Sequence, residues 1–170
     1  MKSPFAIPFV GLKLGLHEFE FDIDKSFFES LPYSLIENGR LTAYLELEKK
    51  ETMLIANLGV VGFIFTDCDR CTEPLTEEID GEFTLYYTFG EEESEDENLI
   101  VIAPESYQID ITQPLYELIS LSLPAKMVHE EGECNEEMVE LINKYQQPSS
   151  DSKPDEDDID PRWSALKNLN

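Results

Sequence analysis

Apolar and polar residues alternate over long stretches of the first half of this chain. Leu41, Ala43, Leu45 and Leu47 occupy every second position, with Thr42, Tyr44, Glu46 and Glu48 between them. A period of two puts one set on each face of a strand, the mark of a sheet buried on one side. Phe83, Leu85, Tyr87 and Phe89 repeat the pattern. Nearer the start, Leu12, Leu14 and Leu16 share one parity, while Phe19, Phe21 and Ile23 share the other. That phase switch predicts two strands, or one strand with a bulge. Residues 52–66 are almost entirely apolar around Gly59 and Gly62, which predicts a buried, bent strand or a tight strand pair. Leu99 to Ile102 predicts a further strand. The succession favours a mostly antiparallel sheet, partly closed towards a barrel.

Helical signals come between and after the strands. Asp24 is placed to cap a short helix carrying Phe27, Phe28 and Leu31, and Pro32 ends it. Tyr107 to Ile111 leads into a second helix, with Thr112 as its expected cap and Pro114 in the first turn. Leu115, Leu118 and Ile119 would face the core, and Pro124 stops the helix. Asn135 is placed to cap a third helix, where Met138, Leu141, Ile142 and Tyr145 form one apolar stripe. The pattern describes an α+β domain over residues 1–146, β-rich to about 103 and helical after about 112. Residues 147–159, rich in Pro, Ser and acid, read as a flexible linker. Residues 160–170 read as a short amphipathic helix, with Asp160 as cap, Pro161 in the first helical position and Trp163, Leu166 and Leu169 on one face.

Charge narrows the function. Acidic residues number 37 and basic residues 12, giving a net charge of −25. Residues 91–97, which include Glu91, Glu92 and Glu93, carry six acids and no base. Residues 130–160 carry twelve acids and two bases. Nucleic-acid binding draws most of its affinity from cations that neutralise phosphates. This balance should repel polyanions and attract basic partners. The alternative is an RNA-binding module with a local patch of Arg40, Lys49, Lys50 and Arg70 and exposed Tyr or Phe side chains for stacking. Broken apolar stretches at the N-terminus do not resemble a secretory signal, and the longest uncharged run, 52–66, is too short to span a bilayer. Three cysteines cannot all pair with one another, so a cytoplasmic protein with reduced thiols is expected.

Those three cysteines carry the candidate chemistry. Cys68 and Cys71 form a Cys-x2-Cys turn, and His129 and Cys134 form a His-x4-Cys turn. Three thiolates and one imidazole have the number and softness that a structural zinc site requires. The alternatives are a redox pair, which would need a βαβ context, or buried cysteines beside an exposed histidine. Arg70, between the first two cysteines, is placed to offset thiolate charge or to bind a partner. No phosphate-binding glycine loop, nucleophile elbow or His-Glu-x-x-His pattern is present, so no enzyme is indicated.

Taken in order, four segments resemble the YceD family of large ribosomal RNA subunit accumulation proteins. They are Cys68-Asp69-Arg70-Cys71-Thr72-Glu73-Pro74, Ile109-Asp110-Ile111 running into a helix that ends Leu123-Pro124, the His129 and Cys134 pair, and Asp160-Pro161-Arg162-Trp163 with Leu166. The resemblance spans about residues 60–170 and implies a role in the synthesis, processing or stability of 23S ribosomal RNA. It transfers no catalytic residues. Taken with the charge, it predicts a non-enzymatic factor that reaches rRNA indirectly, by holding a basic ribosomal protein or a large-subunit assembly factor. The partner-binding candidates are Arg70, Glu91, Glu92 and Glu93 together with Asp160, Pro161, Arg162, Trp163 and Leu166. A docking peptide at 160–169 competes with the simpler reading that Trp163 and Leu166 fold back on their own domain. Direct rRNA binding and metal-dependent rRNA processing are the alternative functions.

Overall fold

The computed structural model describes residues 4–91, 95–96 and 98–146. The first strand, β1 (Ala6–Pro8), is followed by β2 (Gly15–Ile23), the short helix α1 (Lys25–Glu29), β3 (Asn38–Lys49), β4 (Met53–Asp67) and β5 (Pro74–Phe89). Then come β6 (Leu99–Ile102), β7 (Gln108–Asp110), α2 (Thr112–Ser122) and α3 (Glu136–Tyr145). Five strands form one sheet in the order β2-β3-β4-β5-β6, and β1 pairs with β7 in a separate ribbon. The fold is α+β, with mostly antiparallel strands and the longer helices last.

The sheet does not close into a barrel, contrary to the expectation from the strand pattern. Closure requires the first and last strands to pair. Here β2 and β6 remain edges of an open sheet. The inner face is covered instead by α1, α2 and the β1–β7 ribbon. Leu45, Leu58, Leu115 and Ile119 meet in one core that also takes in Phe27, Phe28 and Ile109. Gly81 permits the closest approach, because a Cβ there would lie 2.0 Å from Ser122 Oγ on α2.

Several elements resolve alternatives left open by periodicity. Residues 53–67 form a single strand, paired along its length with β3 on one side and β5 on the other. Gly62 in that strand has φ of +147°, and a Cβ would lie 2.4 Å from the Arg40 carbonyl oxygen, so glycine is required there. The phase switch before it needs no bulge: β2 pairs with β3 without interruption from Gly15 to Ile23. Leu12 and Leu14 precede that strand, and Leu16 points outward. β6 runs parallel to β5, so the two strands do not form a hairpin.

The caps follow local chemistry. Asp24 accepts a hydrogen bond from the Ser26 backbone N–H, as expected. At α2 the expected cap, Thr112, instead lies inside the helix, and Asp110 Oδ1 accepts from both its backbone N–H and its hydroxyl. A carboxylate is the stronger acceptor, and two residues upstream it reaches the first free N–H. Asn135 caps α3, its side chain accepting from the Met138 N–H at 3.2 Å. Among the described residues no helix is long and apolar enough to cross a membrane.

Candidate metal centre

Cys68 and Cys71 lie in the turn between β4 and β5. His129 and Cys134 lie in the loop between α2 and α3. In sequence the two pairs are almost sixty residues apart, yet one ligand atom from each of the four residues lies within 4.8 Å of every other. Cys68 Sγ and Cys134 Sγ are 3.9 Å apart, and Cys71 Sγ is 3.3 Å from His129 Nδ1. Cys134 Sγ is 4.0 Å from the same nitrogen. A tetrahedron with metal–sulfur bonds near 2.3 Å places its sulfurs about 3.8 Å apart. The spacing therefore fits one metal ion. It is far beyond the roughly 2 Å of a disulfide, and all three cysteines are free thiols.

Backbone geometry builds the first turn. Thr72 N–H donates to the Cys68 carbonyl, and Cys68 N–H donates to the Glu73 carbonyl, both at 2.9 Å. Thr72 takes the left-handed φ of 62°, which lets the chain reverse within the motif. Arg70 N–H points at Cys68 Sγ, 3.4 Å away. Asp69 then joins the two turns: its N–H donates to the Met127 carbonyl at 2.7 Å, and its Oδ2 accepts from Met127 N–H at 2.8 Å. Sequence reasoning missed Asp69, whose place between the cysteines was the available signal. A second tie runs from Asn135 Nδ2 to Glu73 Oε1, at 3.3 Å.

Electrostatics prepare Cys68 and Cys71 for a metal by favouring their thiolates, while Cys134 and His129 hold their protons more firmly than usual. Desolvation opposes ionisation of Cys68, but the N–H groups of Cys71, His129 and Arg70 outweigh it and lower the thiol to about 6. Cys71 is also lowered: burial opposes this, and the Asn135 and Glu73 backbone N–H groups favour it. Cys134 is raised by burial and by its two sulfur neighbours, as expected for the last of three crowded thiols to ionise. The Cys71 side chain raises His129, with desolvation opposing. His129 Nε2 lies 3.1 Å from the Pro74 carbonyl, so a proton there leaves Nδ1 free to face the sulfurs. Arg70 Nη1 is 3.6 Å from Cys134 Sγ. Three thiolates around a divalent ion carry one excess negative charge, and this guanidinium sits where it offsets that charge.

The other singled-out residues are placed differently. Glu91 is exposed on the loop after β5. Glu92, Glu93, Asp160, Pro161, Arg162, Trp163 and Leu166, with the linker and the terminal helix expected around them, lie outside the described residues. The four cations do not form one patch. Lys49 Nζ donates to the Phe9 and Leu12 carbonyls, both at 2.9 Å, and Lys50 pairs with Glu48 at 3.2 Å. Arg40 is at the other end of β3 and on its opposite face, about 30 Å from Lys49 at the usual strand rise.

Fold and site define an open-sheet α+β protein with a closed set of three thiols and one imidazole able to hold a metal ion. Residues 57–170 match the family model described as Large ribosomal RNA subunit accumulation protein YceD. The match covers 114 of 170 residues and includes all four ligands; the chain belongs to the YceD family. Membership links the protein to accumulation of the large-subunit ribosomal RNA. No curated protein and no solved structure matches the chain significantly.

Proposed function

We propose that this protein is a non-enzymatic cytoplasmic factor that supports 23S rRNA accumulation by holding a basic ribosomal protein or assembly factor on its acidic surface until rRNA displaces it. The observation that carries this reading is the unneutralised charge. Acidic side chains outnumber basic ones by 37 to 12, and the ion pairs Lys25–Glu29 and Lys50–Glu48 neutralise little of that excess. A field of that sign accelerates encounter with cationic partners and disfavours bare RNA. The dispersal of Arg40, Lys49, Lys50 and Arg70 counts against direct rRNA binding. Zinc is the proposed occupant of the Cys68, Cys71, His129 and Cys134 centre. With four protein ligands it leaves no open position for water or substrate, which suits a structural role and not rRNA processing.

The test is an affinity pull-down of the tagged full chain from its own cells, divided into nuclease-treated and untreated halves. A basic large-subunit protein retained after nuclease is the expected result. Enriched precursor 23S rRNA, with every protein partner lost on nuclease treatment, would overturn the reading in favour of RNA-mediated binding.

A further inference from the structure

The outer face of the five-stranded sheet is the largest feature left without a role. Register makes it a grid. One row across β2, β3, β4 and β5 reads Asp22, Thr42, Val61, Asp80; the next reads Glu20, Tyr44, Gly59, Glu82. Each row has a carboxylate at both ends and a small or apolar centre. Glu18 stands directly opposite Glu46 in the row beyond. Like charges placed opposite one another destabilise a sheet, and none of these acids is ion-paired among the described residues. The centre is wet and largely apolar: Tyr44, Val61 and Phe63 are 44%, 40% and 44% exposed, and Arg40 stands opposite Phe63 at one end.

We propose that this trough binds a cationic, amphipathic polypeptide segment of a partner protein. Its apolar side chains would lie on Tyr44, Val61 and Phe63, and its Lys and Arg heads would reach the carboxylate rows on β2 and β5. This rests on the acidic-surface reading above and gives it a location. The two rows are three strands apart, about 14 Å at ordinary strand spacing, wide enough for one extended chain or one helix. Charge complementarity selects the occupant. Nucleic acid is repelled, and a second copy of the chain would bring the same acids. Gly59 forms the floor between Tyr44 and Glu82. A Cβ there would meet nothing nearer than the Gly81 carbonyl oxygen at 3.9 Å, so the fold does not need the glycine and the open floor can be filled without disturbing it.

The experiment titrates isotope-labelled full-length protein with a synthetic peptide alternating Lys and Leu, and with a Lys-Ser peptide of equal length and charge, following backbone amides by NMR. Shifts should concentrate around Tyr44, Val61 and Glu82. Loss of the Leu contacts should weaken binding by at least about tenfold, since burial of even one such side chain contributes that much. Gly59→Arg should weaken Lys-Leu binding by a similar factor while leaving amide dispersion native, and Glu137→Gln on α3 should leave it unchanged. Equal affinity for both peptides, or shifts confined to the 91–97 segment, would overturn the trough while leaving the acidic-surface reading intact. Binding of neither peptide at low salt would overturn both. Contacts from the Trp163 indole to Tyr44 in the free protein would also overturn it, assigning the face to the chain's own C-terminal segment. Concentration-dependent shifts there would assign it to a second copy.

Discussion

Two side-chain clusters of different chemistry divide the molecule. The sheet, α1, α2 and the β1–β7 ribbon share a core of aliphatic and aromatic side chains with no buried charge among the described residues. The second cluster consists of Cys68, Cys71 and Cys134, with Leu75, Val128, Met138 and Val139 packed around them. α3 belongs to this second cluster and makes no extensive contact with any strand or helix. None of its residues is buried, and Leu141 and Tyr145 remain 47% and 74% exposed. The apolar stripe read from its sequence is therefore only partly used: Met138 covers the sulfurs and the far end stays bare. One region rests on buried area, and the other gathers four groups that the proposed zinc would fasten, so the two should fail independently.

The largest expected effect separates them most sharply. Cys68→Ser should abolish stoichiometric zinc binding and open the 125–146 segment to limited proteolysis, while the sheet keeps its near-ultraviolet signature. Metal content and protease mapping check this. Leu45→Ala acts on the other region: Leu45 is fully buried mid-sheet, and its truncation should destabilise the domain by about 2–5 kcal/mol. Denaturant midpoints should move accordingly, with zinc stoichiometry unchanged below the transition.

A pH effect comes next. Burial, with a smaller contribution from the Asp110 charge, raises the Tyr87 phenol to about 12, and its hydroxyl has no hydrogen-bond partner among the described residues. Between the ordinary phenol value near 10 and this value, the folded state holds a proton that the unfolded state has lost. The stabilisation is thus fully present below pH 10 and disappears as pH rises through about 12, amounting to roughly 3 kcal/mol. Tyr87→Phe should flatten that alkaline loss in unfolding measurements made across this window. The smallest effect belongs to α3. Asn135→Ala removes the cap and should cost about 1 kcal/mol of local helix stability, seen as faster exchange of the α3 amides with no change in the core.

Much of this division is legible in the sequence, because it depends on local signals. Alternation marks the inward face of β3 and β5, Asp24 and Asn135 announce their helices, and the Cys and His spacing names the ligands. What stays hidden depends on partners distant in the chain. Periodicity cannot say whether Leu99–Ile102 pairs parallel or antiparallel to β5, nor whether β2 meets β6 to close a barrel. It also cannot tell a covered apolar stripe from a bare one, which is why Leu141 and Tyr145 look like core residues. Asp69 is hidden for the same reason: its bond to Met127 joins residues 58 positions apart.

The central claim is that a metal ion at Cys68, Cys71, His129 and Cys134 fastens α3 to a core that folds without it. Hydrogen exchange of the zinc-loaded and chelator-stripped full chain, followed segment by segment, tests it most directly. The account predicts that stripping abolishes protection across α3 and the 125–134 loop, while strands β3 to β5 and α2 exchange as slowly as before. Unchanged protection of α3 after complete removal of zinc would contradict it, as would simultaneous loss of protection throughout the sheet.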